Sequence, residues 1–396
     1  MQSRSRSTGW YEHEMMPDVD GIVALAAELV RSPSRGGIDL PQPVLATLAR
    51  WLDANGLKPL PLRDASGDWV GLHLRWLAPE PGPIVCLDAC IDTAPFGDEA
   101  RWLRPPASGA VADGRLWGRG AADSKMGAAI LAHVVRDLAS SGAVRCGGID
   151  LLLDADEHTG RFGGARAYLA ALERKPDRAV LGYPDNQELI RGSRGFHRVR
   201  LTVAGRAGHS GATDGGAINA IGRLARLIAA IEVAPLPVEP TGPFGFGPKV
   251  TVTAVEGGEG FSIVPDRASC SVDIRLTPGF DQAAATRWLE ALVDPQTTRI
   301  EAVESWPSYI VPESDPFVRA FQIAGSEAFG RDIPLAVCGP SNIGNLFAAY
   351  AIATICGLGV TAENVHGTNE CALLASVSPA YLGYFEGVRR FLHGMS

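Results

Sequence analysis

A clustered basic face is missing from this sequence. Its 36 Lys and Arg residues are scattered among 44 Asp and Glu, for a formal charge of −8, whereas nucleic-acid binding needs cations gathered on one surface. Nucleic acid is therefore excluded as a partner. Long apolar runs are missing too: nothing approaches the roughly 18 residues of a membrane-spanning helix, so no membrane partner is expected. The opening MQSRSRSTGWYEHEMMPD lacks the apolar core of a secretory signal. Its arginines suggest organelle targeting, but Glu12, Glu14 and Asp18 argue against it, and the segment reads as a disordered leader before the first helix. CxxC pairs are absent. The seven cysteines, Cys86, Cys90, Cys146, Cys270, Cys338, Cys356 and Cys371, are odd in number and far apart, which fits a reducing cytoplasm better than a disulfide framework. Internal repeats and low-complexity segments are absent as well.

What is present is length and apolar content. At 396 residues and 46% apolar, two domains with a sizeable core are the natural expectation. IVALAAELVRS and PQPVLATLARWLDANG carry apolar residues at helical spacing, and the second stops at Gly56. Short apolar runs bounded by turns follow: VGLHLRWL, PIVCLDAC, GIDLLLDAD and RAVLGYP. Alternating with helices such as MGAAILAHVVRDLASSG, they predict an α/β domain with buried strands in a mostly parallel sheet. The pattern changes after Gly195. FHRVRLTVAG, KVTVTAVEGG, ASCSVDIRLT and RIEAVES alternate as strands, with helical patterns in NAIGRLARLIAAIEV and DQAAATRWLEALV. That order, β-α-β-β-α-β, predicts a ferredoxin-like α+β unit over 196–305. It is inserted between two parts, 1–195 and 306–396, of the larger domain.

Four segments of the larger domain end a strand or open a helix, where α/β proteins place their sites. They are LDACIDTAP (87–95), LWGRGAADSKMG (116–127), LLLDADEHTG (151–160) and VHGTNE (365–370). Singly each is weak: an Asp after a strand is often a helix cap, and a lone His is more often a core residue than a ligand. Together, Asp123, the adjacent Glu157–His158 and His366 offer a carboxylate, a base and two imidazoles.

With GRGAADSKMG flanked by Trp117, HGTNE, and GRAGHSG and DIR in the insert, the chain resembles a known group over nearly its whole length. This is the aminoacylase, carboxypeptidase G and succinyl-diaminopimelate desuccinylase group of co-catalytic zinc hydrolases. The resemblance implies a zinc-peptidase-like catalytic domain with an inserted lid and dimerisation domain, and hence a homodimer or higher homo-oligomer. It implies Glu157 as the general base that takes a proton from metal-bound water. One metal position maps to Asp123, His158 and His366, and the other to Cys90, Asp123 and, by spacing, Tyr183. Asp92 falls where the group orients its first metal-binding histidine. In the insert, His209 matches a histidine that reaches a neighbouring subunit's scissile carbonyl. Arg275 matches an arginine that pairs with a substrate carboxylate, and Asn219 helps to hold that substrate-binding region.

The departures concern the metal position at which Cys90 replaces an imidazole and Tyr183 a carboxylate. Cys90 can bind as a thiolate and Tyr183 as a phenolate, or both are packing residues, with Tyr183 a donor to substrate. The other position keeps two imidazoles and a carboxylate, which suits one manganese or zinc ion. Ser262 stands where the group has Asn before Val-Pro, and Asn342 where a Gly-rich loop often has Asp. One metal points away from a general dipeptidase and towards one specialised small molecule bearing a carboxylate. The favoured expectation is an aminohydrolase removing an aromatic amine, as one member of the group does from 5-nitroanthranilate. An N-acyl amino-acid deacylase or peptidase is the alternative among enzymes, and a non-catalytic binding module the alternative outside them.

Overall fold

In the computed structural model, which describes residues 16–394 apart from 214, 238, 239, 241 and 243, Asp18 turns its carboxylate onto the Gly21 amide and starts α1 (Val19–Val30). Such a cap satisfies an otherwise orphan helix N–H. The leader read from the sequence lies, up to residue 15, outside the described residues. α2 (Gln42–Ala54) is followed by β1 (Leu60–Arg63), β2 (Trp69–Leu77) and β3 (Glu80–Cys90). Two short strands, β4 (Ala110–Ala112) and β5 (Arg115–Trp117), precede α3 (Lys125–Ser141). Then come β6 (Cys146–Asp154), α4 (Gly163–Ala171), β7 (Arg178–Leu181) and β8 (Leu189–Ser193).

The next stretch holds β9 (Gly195–Ala204), β10 (Gly208–His209), α5 (Ala220–Val233) and β11 (Lys249–Gly257). It continues with β12 (Ile263–Val264), β13 (Arg267–Leu276), α6 (Gln282–Glu290) and β14 (Thr298–Trp306). β15 (Tyr309–Ile310), α7 (Pro316–Phe329), β16 (Leu335–Cys338) and α8 (Gly344–Ala348) return to the first body. β17 (Ala353–Cys356), β18 (Ala362–Glu363), β19 (Cys371–Leu373) and α9 (Val377–His393) complete it.

The large sheet runs β1-β2-β6-β3-β7-β17-β8-β15, with β16 beside β8. Its centre is parallel, β6 to β3 to β7 to β17, and its flanks are antiparallel except for β16, which runs parallel to β8. Every residue of β6 is buried, which is why these strands read as continuous apolar runs rather than alternating ones. Val85, Leu87 and Ala89 of β3 pack into a core shared with α1, α2, α3, α7 and α9. Cys86 turns the other way, with Leu152, to a core under α4 and α8. Helices therefore cover both faces, and the α/β architecture follows.

A separate antiparallel sheet, β11-β13-β9-β14, covers the region read as an insert. It alternates cleanly: Val199, Leu201, Val272 and Ile274 face α5 and α6, while Arg198, Asp273 and Arg275 lie on the opposite face by the period of two. A third sheet, β18-β19-β5-β4, was not legible in the sequence, because strands of two or three residues carry no periodicity.

Candidate metal centre

The parallel pairing of β3 with β6 sets Cys90 opposite Asp154, so both strands end at the same edge of the sheet. The loops that leave this edge carry Asp92 and Glu157–His158. Asp92, 3% exposed, accepts the Glu157 amide on Oδ1 at 3.1 Å and the His158 amide on Oδ2 at 2.9 Å. Asp92 thus pins the backbone of the loop bearing Glu157 and His158, and its Oδ2 also lies 3.5 Å from His158 Nδ1.

A second connection brings Asp123 and His366 to the same place. β5 pairs with β19, Trp117 opposite Cys371, and the residue before β19, Glu370, is fully buried. Its Oε1 accepts the amides of Gly120, Ala122 and Asp123 at 3.0, 3.1 and 3.2 Å. Its Oε2 takes Arg119 Nη1 at 2.5 Å. Arg119 in turn donates to the carbonyl oxygens of His366 at 3.1 Å and Pro95 at 3.1 Å. The buried pair fastens the loop holding Asp123 to the loop holding His366; neither Arg119 nor Glu370 was assigned a role from the sequence.

The three donors then converge. Asp123 Oδ2 lies 2.8 Å from His366 Nε2 and 3.7 Å from His158 Nε2, and the two imidazole nitrogens are 3.2 Å apart. A tetrahedral ion with bonds of about 2.0–2.1 Å spaces its ligand atoms by roughly 3.3 Å, so the trio fits a single small divalent cation. Asp123 Oδ1 is held by Ser124 Oγ at 2.6 Å. Burial opposes charge on Asp123 and His158, but their mutual attraction, with His366 and Ser124 hydrogen-bonded to Asp123, prevails. Asp123 is held below the usual carboxylate range, and His158, also beside Asp92, is pushed up to about 11. An ion binding here displaces that proton.

Glu157 adjoins the trio. Its Oε2 faces His158 Nδ1 at 3.4 Å, and its Oε1 accepts the Tyr183 hydroxyl at 3.1 Å. Burial pushes its carboxyl up to about 7, with Asp123 and Asp92 adding to the effect. Cys90 is 1% exposed with its Sγ 3.5 Å from Ser124 Oγ; burial and the carboxylates of Asp123 and Glu157 push its thiol well up. Cys90, Asp92 and His158 do place donor atoms within 4.8 Å of one another, yet Asp92 already accepts two amides. Beneath Cys90, Asp88 and Asp154 face each other fully buried, and burial raises both well above the carboxylate range. Lys125 donates to the Ser32 carbonyl at 2.8 Å, and burial pulls it down to about 7.

The remaining candidates lie on the small sheet and its loops. Arg275 Nε meets Asp273 Oδ1 at 2.8 Å, and its Nη1 donates to Ser341 Oγ at 3.1 Å. It thus bridges this sheet to the Gly-rich loop that bears Asn342. His209 is exposed on β10, its Nδ1 accepting the Gly211 amide at 3.0 Å. Asn219 caps α5, its side-chain oxygen taking the Gly222 amide at 3.0 Å; that oxygen serves the helix rather than a ligand. Ser262 gives its carbonyl to the Ser210 amide at 2.9 Å. Asn342 accepts Tyr309 Oη at 3.2 Å.

The family model described as Peptidase family M20/M25/M40 matches residues 86–386. The chain is 27% identical over 390 residues to a succinyl-diaminopimelate desuccinylase of Parvibaculum lavamentivorans, covering 92% of this chain and 95% of that one. The solved structure of an M20 family metallo-carboxypeptidase, Sso-CP2 of Sulfolobus solfataricus, is similar with a TM-score of 0.79 at 16% identity, over 94% of this chain and 99% of the other. The YXEP protein of Bacillus subtilis, a dinuclear metal binding peptidase of the M20 family, gives 0.66 at 14% identity, over 95% and 98%.

Proposed function

The chain belongs to peptidase family M20/M25/M40, and on that premise we propose that this metallohydrolase cleaves a C–N bond in a small carboxylate-bearing molecule with one manganese or zinc ion per subunit. The convergence of Asp123, His158 and His366, with Glu157 alongside, carries this reading. These three residues would hold the ion, which when bound acidifies water and polarises the attacked group. Glu157 takes a proton from water as its oxygen bonds to the substrate carbon, and returns it to the nitrogen as the C–N bond breaks. Asp92 keeps Glu157 and His158 in register through their amides. Arg275, oriented by Asp273 along its Nε edge, offers its outer N–H groups to the substrate carboxylate. Residues 1–195 and 306–396 act as the catalytic domain and 196–305 as a lid and dimerisation domain that presents His209 to the neighbouring subunit.

The favoured substrate is an aromatic amine with a ring carboxylate, such as 5-nitroanthranilate. Supporting it is the exchange of two metal-ligand positions for Cys90 and Tyr183, which removes the second cation that clamps a tetrahedral peptide intermediate. A desuccinylase on an N-succinyl amino acid is the second reading, supported by the near-full-length likeness to the Parvibaculum enzyme. Manganese- or zinc-loaded protein is assayed for ammonia release from 5-nitroanthranilate and for succinate release from N-succinyl-diaminopimelate. Ammonia alone supports the aminohydrolase, succinate alone moves the chain to the second reading, and neither overturns both. Glu157→Gln should lower whichever turnover is found by about 10²–10⁴-fold while metal content stays unchanged.

A further inference from the structure

Tyr183 follows β7 by two residues and enters the floor of the site from a backbone held on both sides. A Cβ at Gly127 of α3 would strike the Gly182 carbonyl oxygen, and one at Gly359 would strike that of Tyr183 itself. The Gly182 amide donates to the Asp88 carbonyl at 2.7 Å, and the Asp185 amide to that of Val360 at 2.9 Å. The side chain packs against the apolar cluster beneath α4 and α8, which leaves the hydroxyl pointed at Glu157 Oε1, 3.1 Å away. Both oxygens of the base thus have a fixed neighbour, Tyr183 on one side and the His158 ring on the other.

An ionised carboxylate at position 183 would meet Glu157 acceptor to acceptor and would need a cation or a shared proton between them. A phenol reverses the relation, since it carries a proton to donate. We propose that Tyr183 is a positioning residue whose hydroxyl holds Oε1 of Glu157, doing by a hydrogen bond what a second cation would do, and that it is not a metal ligand. Ligation would require the phenol to give up the proton it donates to Glu157 Oε1 across 3.1 Å. This assignment rests on the reading of Glu157 as base beside a single ion.

The experiment is Tyr183→Phe in the full-length chain, compared with wild type by metal content, metal affinity against a competing chelator, and kcat and KM on whichever substrate is turned over. Metal content, affinity and KM should stay within about twofold, while kcat falls by about 10–100-fold, as expected for a hydrogen bond to a charged group. A near-ultraviolet difference spectrum on zinc addition should show no tyrosinate band in wild type. Loss of metal, weaker affinity, or a tyrosinate band that vanishes in the variant would make Tyr183 a ligand and overturn the proposal. An unchanged kcat overturns it too. The metal and spectral measurements need no turnover. Absence of any substrate therefore counts against the functional reading, and a phenolate against the Tyr183 assignment.

Discussion

Glu370 gathers four donors onto one buried carboxylate, and through Arg119 it fixes both Asp123 and His366. Removing one member of a buried pair strands the other charge, at about 3–5 kcal/mol, and loosening the groups behind metal ligands weakens binding by roughly 10–100-fold. Glu370→Ala should therefore lower both melting temperature and metal affinity, read by calorimetry and chelator competition. Glu370→Gln, which keeps the acceptor to the loop amides, should lose less of each. Asp88 and Asp154 predict a pH effect. In the folded chain they keep a proton that the unfolded chain releases above about pH 4. The native state then binds more protons, and stability falls with rising pH from about 4 towards their raised folded values, at about 1.4 kcal/mol per pH unit for each proton retained. Asp154→Asn should flatten that slope in denaturant titrations between pH 5 and 8.

Elements place the site by approach as much as by hydrogen bonding. α3 begins directly after Asp123 and Ser124, and its Gly127 lies so close to Gly182 that the helix and the end of β7 meet backbone to backbone. On an exposed helix, Gly→Ala stabilises by roughly 0.5–1 kcal/mol. Here the added methyl meets a carbonyl oxygen, and overpacking costs about 1–3 kcal/mol, so the sign reverses. Gly127→Ala should lower the melting temperature rather than raise it, and lower metal affinity as Asp123 shifts. The pairing of β5 with β19 works in the same way. Three residues from each strand bring together loops about 250 positions apart, a contact no local pattern announces.

At the scale of the molecule, the small sheet is joined to the large body by more than its two crossings. Trp306 at the end of β14 lies 6.1 Å from Phe162, and Arg166 of α4 reaches Glu304 at 3.1 Å. The Arg198 guanidinium lies where a Cβ of Gly160 would stand, beside the loop that carries Glu157. The small sheet therefore packs beside α4 and the loop that carries Glu157, while His209 stays exposed. If His209 serves a neighbouring subunit, mixing inactive His209→Ala with inactive Glu157→Gln should restore roughly a quarter of wild-type activity, because half the dimers pair one intact base with one intact histidine. No recovery on mixing, or a fully active monomer on gel filtration, would remove His209 from the mechanism.

The sequence by itself carried the two kinds of sheet, α1, α2, α3 and α5 among the helices, the strand and helix order over 196–305, and the presence of Asp123, Glu157, His158 and His366 at strand and helix ends. Each of these is written locally, in a period of two or of 3.6 or in a short run of residues. Only the tertiary structure decided what depends on separation in the chain. Asp92 serves amides of the 157–158 loop, Glu370 and Arg119 join two distant loops, Asn219 is a helix cap, and Tyr183 meets Glu157. A side chain's role follows from what stands opposite its polar atoms once the backbone is packed. Composition and spacing fix which atoms are available, but not which of them meet.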